Sequence, residues 1–197
     1  MKQFLTLNDL QNFDAQVALA KEIKTNPYQF EELGKRKTLG LLFFNPSLRT
    51  RLSTQKAGRL LGMDVMVMNF SNEAWAIEYE HETIMKGLRS EHVKEAAQVV
   101  SRYCDVVGIR AFATLTDKEK DESEQVLLKF IQYASVPILN MESATAHPLQ
   151  ALADALTLTE LSLPKKPKVV LTWAPHPKAW PHAVGNSFAR MMEHQDA

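Results

Sequence analysis

Ser47, Leu48, Arg49, Thr50 and Arg51 lie between an apolar run, residues 38–44, and a segment in which Leu52, Gln55, Arg59 and Leu60 continue at helical spacing. A strand that feeds such a cluster into a helix start offers unpaired backbone N–H groups and a partial positive charge. Hydroxyls from Ser47 and Thr50 and the forked guanidinium of Arg49 add donors matched to phosphate oxygens. The pattern is that of an anion cradle. Its bland alternative is an N-capping Ser47 followed by two solvated arginines; a separate alternative for Arg51 alone is an ion pair with an acid on a nearby helix. A second set of polar residues closes other apolar runs: Arg110 follows residues 104–109, and Glu142, His147 and Gln150 follow residues 136–141.

These groups need elements to hold them. Residues 8–26 read as a helix closed by Asn26-Pro27, residues 38–44 as a buried strand, residues 50–61 as a helix ending at Gly62, and residues 63–70 as a second strand. Residues 71–90 lack clear periodicity and carry Trp75, and a loop of that length in a compact domain is often functional. Ser90 then reads as the cap of a helix through Tyr103, with Glu91 in its first turn. Residues 104–109 form a third strand, 122–134 a helix, 136–141 a fourth strand, and Pro148 opens a further helix to about Leu161. Strands alternating with helices predict an α/β fold with a parallel sheet and right-handed crossovers. Ligands gather at the carboxyl ends of such strands, so strand ends one, three and four should share one rim. A linker of Lys and Pro around 163–167 separates a domain of residues 1–162 from the start of a second α/β domain, 163–197, with a strand at 168–173 ending in a core Trp173 and a helix at 183–194. The apolar faces of residues 169–173 and 188–192 are expected to lack cover and to promote aggregation.

Composition sets limits. The 197 residues are 45% hydrophobic and 23% charged, and 23 basic residues balance 23 acidic ones. That balance offers no general electrostatic case for nucleic acid or an anionic membrane, so any bound anion is held by local geometry. Lys165-Lys166-Pro167-Lys168 is too short for a nucleic-acid patch. No apolar run approaches the length of a membrane span, and residues 1–9 lack the pattern of a signal peptide. Cys104 is the only cysteine, in an apolar run that suits a small buried hydrophobe, and a reduced cytoplasmic setting is expected. No histidine shows metal-ligand spacing, and neither metal nor cofactor is expected.

Ser47-Leu48-Arg49-Thr50-Arg51 and His147-Pro148-Leu149-Gln150, about 100 residues apart with Arg110 between them, resemble the phosphate and His-Pro-x-Gln motifs of the carbamoyltransferases. The stretches 44–56, 140–142 and 172–177 look like the N-acylornithine branch, and residues 52–56 are closer to its N-succinylornithine type. Ser90 departs from both types, which have Pro (succinyl) or Glu (acetyl) there. Loss of an acidic group suits a substrate with an extra carboxylate.

The resemblance implies transfer of a carbamoyl group from carbamoyl phosphate to the δ-amine of N-succinylornithine, in arginine biosynthesis, with no covalent intermediate. It implies that Ser47, Leu48, Arg49 and Thr50 hold the phosphate, that Arg110 and His147 polarise the carbonyl oxygen, and that Gln150 holds the carbamoyl amino group. Glu142 and His176 would contact the acylornithine. Trp75 would reach into the neighbouring subunit of a homotrimer. The alternatives are N-acetylornithine as acceptor, an ordinary ornithine or aspartate carbamoyltransferase, against which residues 172–177 and Glu142 argue, or, since the family's second domain barely begins before residue 197, a chain that binds carbamoyl phosphate without turnover.

Overall fold

The computed structural model describes residues 3–73, 76–80, 89–161, 167–177 and 179–194. In chain order the elements are β1 (Gln3–Phe4), α1 (Phe13–Thr25), β2 (Thr38–Phe43), α2 (Arg49–Leu60), β3 (Asp64–Asn69), β4 (Ala76–Glu78), β5 (Arg89–His92), α3 (Val93–Tyr103), β6 (Val106–Arg110), α4 (Lys118–Glu122), α5 (Gln125–Tyr133), β7 (Ile138–Glu142), α6 (Pro148–Glu160) and α7 (Ala183–Met192). Five strands make one parallel sheet in the order β1-β7-β6-β2-β3.

β2 reads as an unbroken apolar run because it is flanked by strands on both sides and covered on both faces. Leu42 faces the cluster built with Val93, Ala97 and Val100 of α3 and Leu127 and Phe130 of α5. Leu39, Leu41 and Phe43 face Met141 and Leu149 on the other side. Each such side chain contributes about 1.5–3 kcal/mol when fully removed from water. Two glycines set the approach of α2: a Cβ on Gly58 would stand 2.8 Å from Val65 Cγ2, and Gly62 turns the chain at φ +75 where any Cβ would meet the Glu31 carbonyl. Gly62 thus supplies the left-handed residue expected after the helix.

Several expectations change. The helix expected over residues 8–26 begins only at Phe13, where the Asn12 side chain accepts the Ala15 N–H at 2.9 Å; Leu7–Asp9 form a separate 3-10 turn. Residues 76–78 and 89–92 of the aperiodic region pair as a small parallel sheet, tied by the Glu78–Arg89 ion pair at 2.8 Å. That pairing keeps Ser90 and Glu91 extended, so His92 caps α3 instead of Ser90: its Nδ1 accepts the Lys94 N–H, and Glu95 accepts the His92 N–H in return. Trp75 and the expected boundary at 162/163 lie outside the described residues.

The strand expected at 168–173 does not form. The described residues 167–177 have no regular structure, Leu171 is 54% exposed, and Trp173, expected in the core, is 59% exposed. A strand needs a ladder partner for its N–H and C=O groups, and among the described residues this segment has none. By contrast α7 is covered, against the expectation for residues 188–192: Met191 is fully buried, and Phe188 and Met192 pack with Phe13, Ala151 and Ala155 of α1 and α6. Among the described residues no helix is long and apolar enough to cross a membrane.

Candidate active site

Register builds the site. Phe43 of β2 pairs with Arg110 of β6, and Arg110 pairs with Glu142 of β7, with an irregularity between Ile109 and Arg110. Such a bulge re-aims the side chain that follows it. The three expected strand ends therefore do share one rim. Arg110 is 7% exposed and Glu142 8%. Arg110 Nε and Nη2 each lie 3.3 Å from Glu142 Oε2, while Nη1 donates to the Pro46 carbonyl at 2.9 Å. The guanidinium also lies over the Phe112 ring at 3.8 Å, and the Phe112 N–H donates to Asn45 Oδ1 at 2.7 Å. The second Nη1 hydrogen faces the Asn45 carbonyl at 3.5 Å, so four of the five Arg110 donors fix the fork and one Nη2 hydrogen is left for a ligand.

His147 stands just before α6, whose first residue is Pro148. Its Nε2 is 3.6 Å from Glu142 Oε2, its backbone N–H donates to Ser187 Oγ of α7 at 2.8 Å, and its Nδ1 is buried with no partner among the described residues. Burial, reinforced by the Arg110 charge, lowers the His147 pKa to about 4, so the ring is neutral near pH 7. Burial also raises the Glu142 carboxyl above its ordinary value, with Arg110 pulling it part-way back.

α2 begins at Arg49 with Leu48 in the cap position, and no side chain caps it. Ser47 is therefore not spent as an N-cap, and the first-turn N–H groups keep their capacity for an anion. Arg51 turns elsewhere, bonding to Asn69 Oδ1 at the end of β3 and lying 5.1 Å from the Phe43 ring centroid. Ser47, Leu48, Arg49, Thr50, Arg110, Glu142, His147, Gln150 and His176 all line one cleft of about 870 Å³. Gln150 is exposed, its amide nitrogen donating to Asp154 at 2.8 Å, which leaves its carbonyl oxygen available. His176 meets the Trp180 ring edge-on at 5.3 Å. Phe112, Asn45, Ser187 and Trp180 belong to the same constellation and were not singled out from sequence. Only Asn45, inside the 44–56 stretch, had a signal there.

Residues 2–160 match the family model described as aspartate/ornithine carbamoyltransferase, carbamoyl-P binding domain. The chain belongs to that family. As a carbamoyltransferase-family chain it is 47% identical over 196 residues to the N-succinylornithine carbamoyltransferase of Bacteroides thetaiotaomicron, covering 100% of this chain and 62% of that relative. It is 42% identical over 192 residues to the N-acetylornithine carbamoyltransferase of Xanthomonas campestris pv. campestris, covering 95% and 56%. A solved structure superposes with a TM-score of 0.89 at 41% identity, over 98% of this chain and 58% of that one. It is a glutamate-to-serine variant of N-acetyl-L-ornithine transcarbamylase complexed with carbamyl phosphate and N-succinyl-L-norvaline. This chain spans about three fifths of the length of the carbamoyltransferases it matches.

Proposed function

We propose that this chain provides the carbamoyl phosphate-binding part of an N-succinylornithine carbamoyltransferase acting in arginine biosynthesis. The observation that supports it most is the meeting of the α2 start, Arg110 and His147 on one cleft, opposite the segment bearing His176. The first-turn N–H groups with Ser47, Arg49 and Thr50 hold the phosphate. The free Nη2 hydrogen of Arg110 and an N–H of neutral His147 polarise the carbonyl oxygen, where negative charge grows as the δ-amine attacks. Gln150 accepts a hydrogen bond from the carbamoyl nitrogen. A C–N bond forms, the C–O bond to phosphate breaks, and the departing phosphate takes the amine proton. Glu142 and His176 orient the acylornithine.

The succinyl preference rests on the higher identity to the succinyl relative and on Ser90. Ser90 is exposed on β5 and does not line its own chain's cleft. For it to meet an acyl group, β5 must face a neighbouring copy's cleft. That arrangement suits a cytoplasmic homotrimer in which Trp75, on the same segment, serves the next subunit. The division at 162/163 is kept in this proposal, with the acylornithine domain beginning at 163.

Citrulline formation from carbamoyl phosphate with N-succinylornithine, N-acetylornithine or ornithine tests the reading. N-succinylornithine is the expected best acceptor, and turnover with ornithine alone would sink the proposal. Saturable carbamoyl phosphate binding without turnover, lost in Arg49→Ala, would favour a binding module instead. The chain's coverage of 62% of its relative is what keeps that second reading in play.

A further inference from the structure

The turn between Glu142 and His147 is held from behind the cleft. Glu124, just before α5, adopts a left-handed backbone (φ 52, ψ 33) although it is not glycine. Its Oε1 accepts from Ser143 Oγ at 2.7 Å, from the Thr145 N–H at 2.8 Å and from Thr145 Oγ1 at 2.6 Å, and its Oε2 accepts the Ala144 N–H at 3.4 Å. One carboxylate thus collects donors from three successive residues of a turn only four residues long. Two more ties come from the same neighbourhood: the Asn140 amide donates to Ser143 Oγ at 3.1 Å, and Asn186 of α7 donates to the Thr145 carbonyl at 3.1 Å. Residues Glu142 and His147, which flank the turn, both line the cleft, whereas Glu124 does not.

We propose that Glu124 is a positioning residue: its carboxylate fixes the 143–146 turn and so sets the spacing between His147, Glu142 and Arg110 on the carbonyl side of the cleft. The proposal rests on the carbamoyl-transfer reading for its consequence in ligand binding, but not for its geometry. A half-buried carboxylate acting only as a stabilising tie would, when shortened, lower the melting temperature and leave ligand discrimination alone. A positioning role has a different signature. The carbonyl side of the site loosens while the phosphate side, on α2, is untouched.

Glu124→Asn separates the two, because Asn tolerates the left-handed backbone but is one methylene too short to reach the turn. Its melting temperature should fall under either role, because the turn loses a charged acceptor, so the ligand and ring readouts decide. Carbamoyl phosphate affinity should fall roughly tenfold, as for one weakened hydrogen bond to the carbonyl oxygen, while inorganic phosphate affinity changes less than about twofold. In histidine-labelled protein the His147 ring, faced by Arg110 and Glu142, should titrate closer to an ordinary histidine. Glu124→Gln keeps one acceptor oxygen and should recover most of the affinity. Thr145→Val weakens the same clamp from the other side and should move the ring titration in the same direction; it decides the matter if the Asn variant does not fold. An unchanged ring titration, or equal losses for both anions, overturns the proposal. Absence of carbamoyl phosphate binding in the parent chain would defeat the functional reading, while the ring titration still tests the clamp.

Discussion

Arg110→Met should abolish the proposed carbamoyl phosphate binding and lower the unfolding free energy by about 3–5 kcal/mol at pH 8, the usual cost of stranding one partner of a buried ion pair. The stranded group is Glu142, 8% exposed, whose other side-chain contact, the neutral ring of His147, cannot replace a guanidinium. Without Arg110, nothing offsets the burial that already raises the Glu142 pKa. A carboxyl whose folded pKa lies above its unfolded value binds more protons when folded, so it costs stability as pH rises through that folded value. The variant's deficit should therefore shrink as pH is lowered from 8 toward 5. Arg110→Met combined with Glu142→Gln should regain most of the stability, since no buried charge remains, and none of the binding. Denaturant titrations across pH and calorimetric binding distinguish these outcomes. A deficit independent of pH, or a double variant as unstable as the single one, contradicts the account.

In the proposed carbamoyl transfer, His147→Gln should lower turnover about 10²–10³-fold, the range for losing one donor to a developing oxyanion, with KM little changed. The ring also leaves a mark on stability without any substrate. Its pKa falls from 6.5 to about 4 on folding, so between those values the unfolded chain binds the proton that the folded chain refuses. Stability is then fully present above pH 6.5 and is lost as pH falls toward 4, by an amount on the order of 2 kcal/mol after allowing for screening at the cleft mouth. His147→Gln should remove that part of the slope. Thermal melts of both proteins from pH 4 to 7.5 check it, and parallel slopes would contradict a buried neutral imidazole.

Much of this site could be read from sequence because its parts are local or repeat a fold rule. An apolar strand that empties into Ser47–Arg49 predicts a helix start, and parallel crossovers place Arg110 and His147 on the same rim as that start. The errors share a different origin. Glu124 reaches residues some twenty positions away through a left-handed backbone that no propensity announces. The shift of the α3 cap from Ser90 to His92 depends on β4 pairing with β5, a contact between segments with no periodic pattern. Residues 168–173 have the composition of a strand, but composition supplies no ladder partner. The apolar face of α7 was read as bare because its cover, α1 and α6, lies far back in the chain.

The placement of β6 between β7 and β2 divides the site into two parts of unequal local stability. Ile109 and Arg110 sit in the middle of the sheet, and backbone bonds of 2.9 Å from Phe44 to the Arg110 carbonyl and from Ala111 to the Glu142 carbonyl continue the ladder past the strand ends. Amides there can exchange with solvent only through openings near the scale of global unfolding. Ser47 and Leu48 lie on a connecting segment before an uncapped helix, with Leu48 72% exposed, so their amides exchange through small local openings. An arriving phosphate would then anneal one half of the site onto a half that is already rigid.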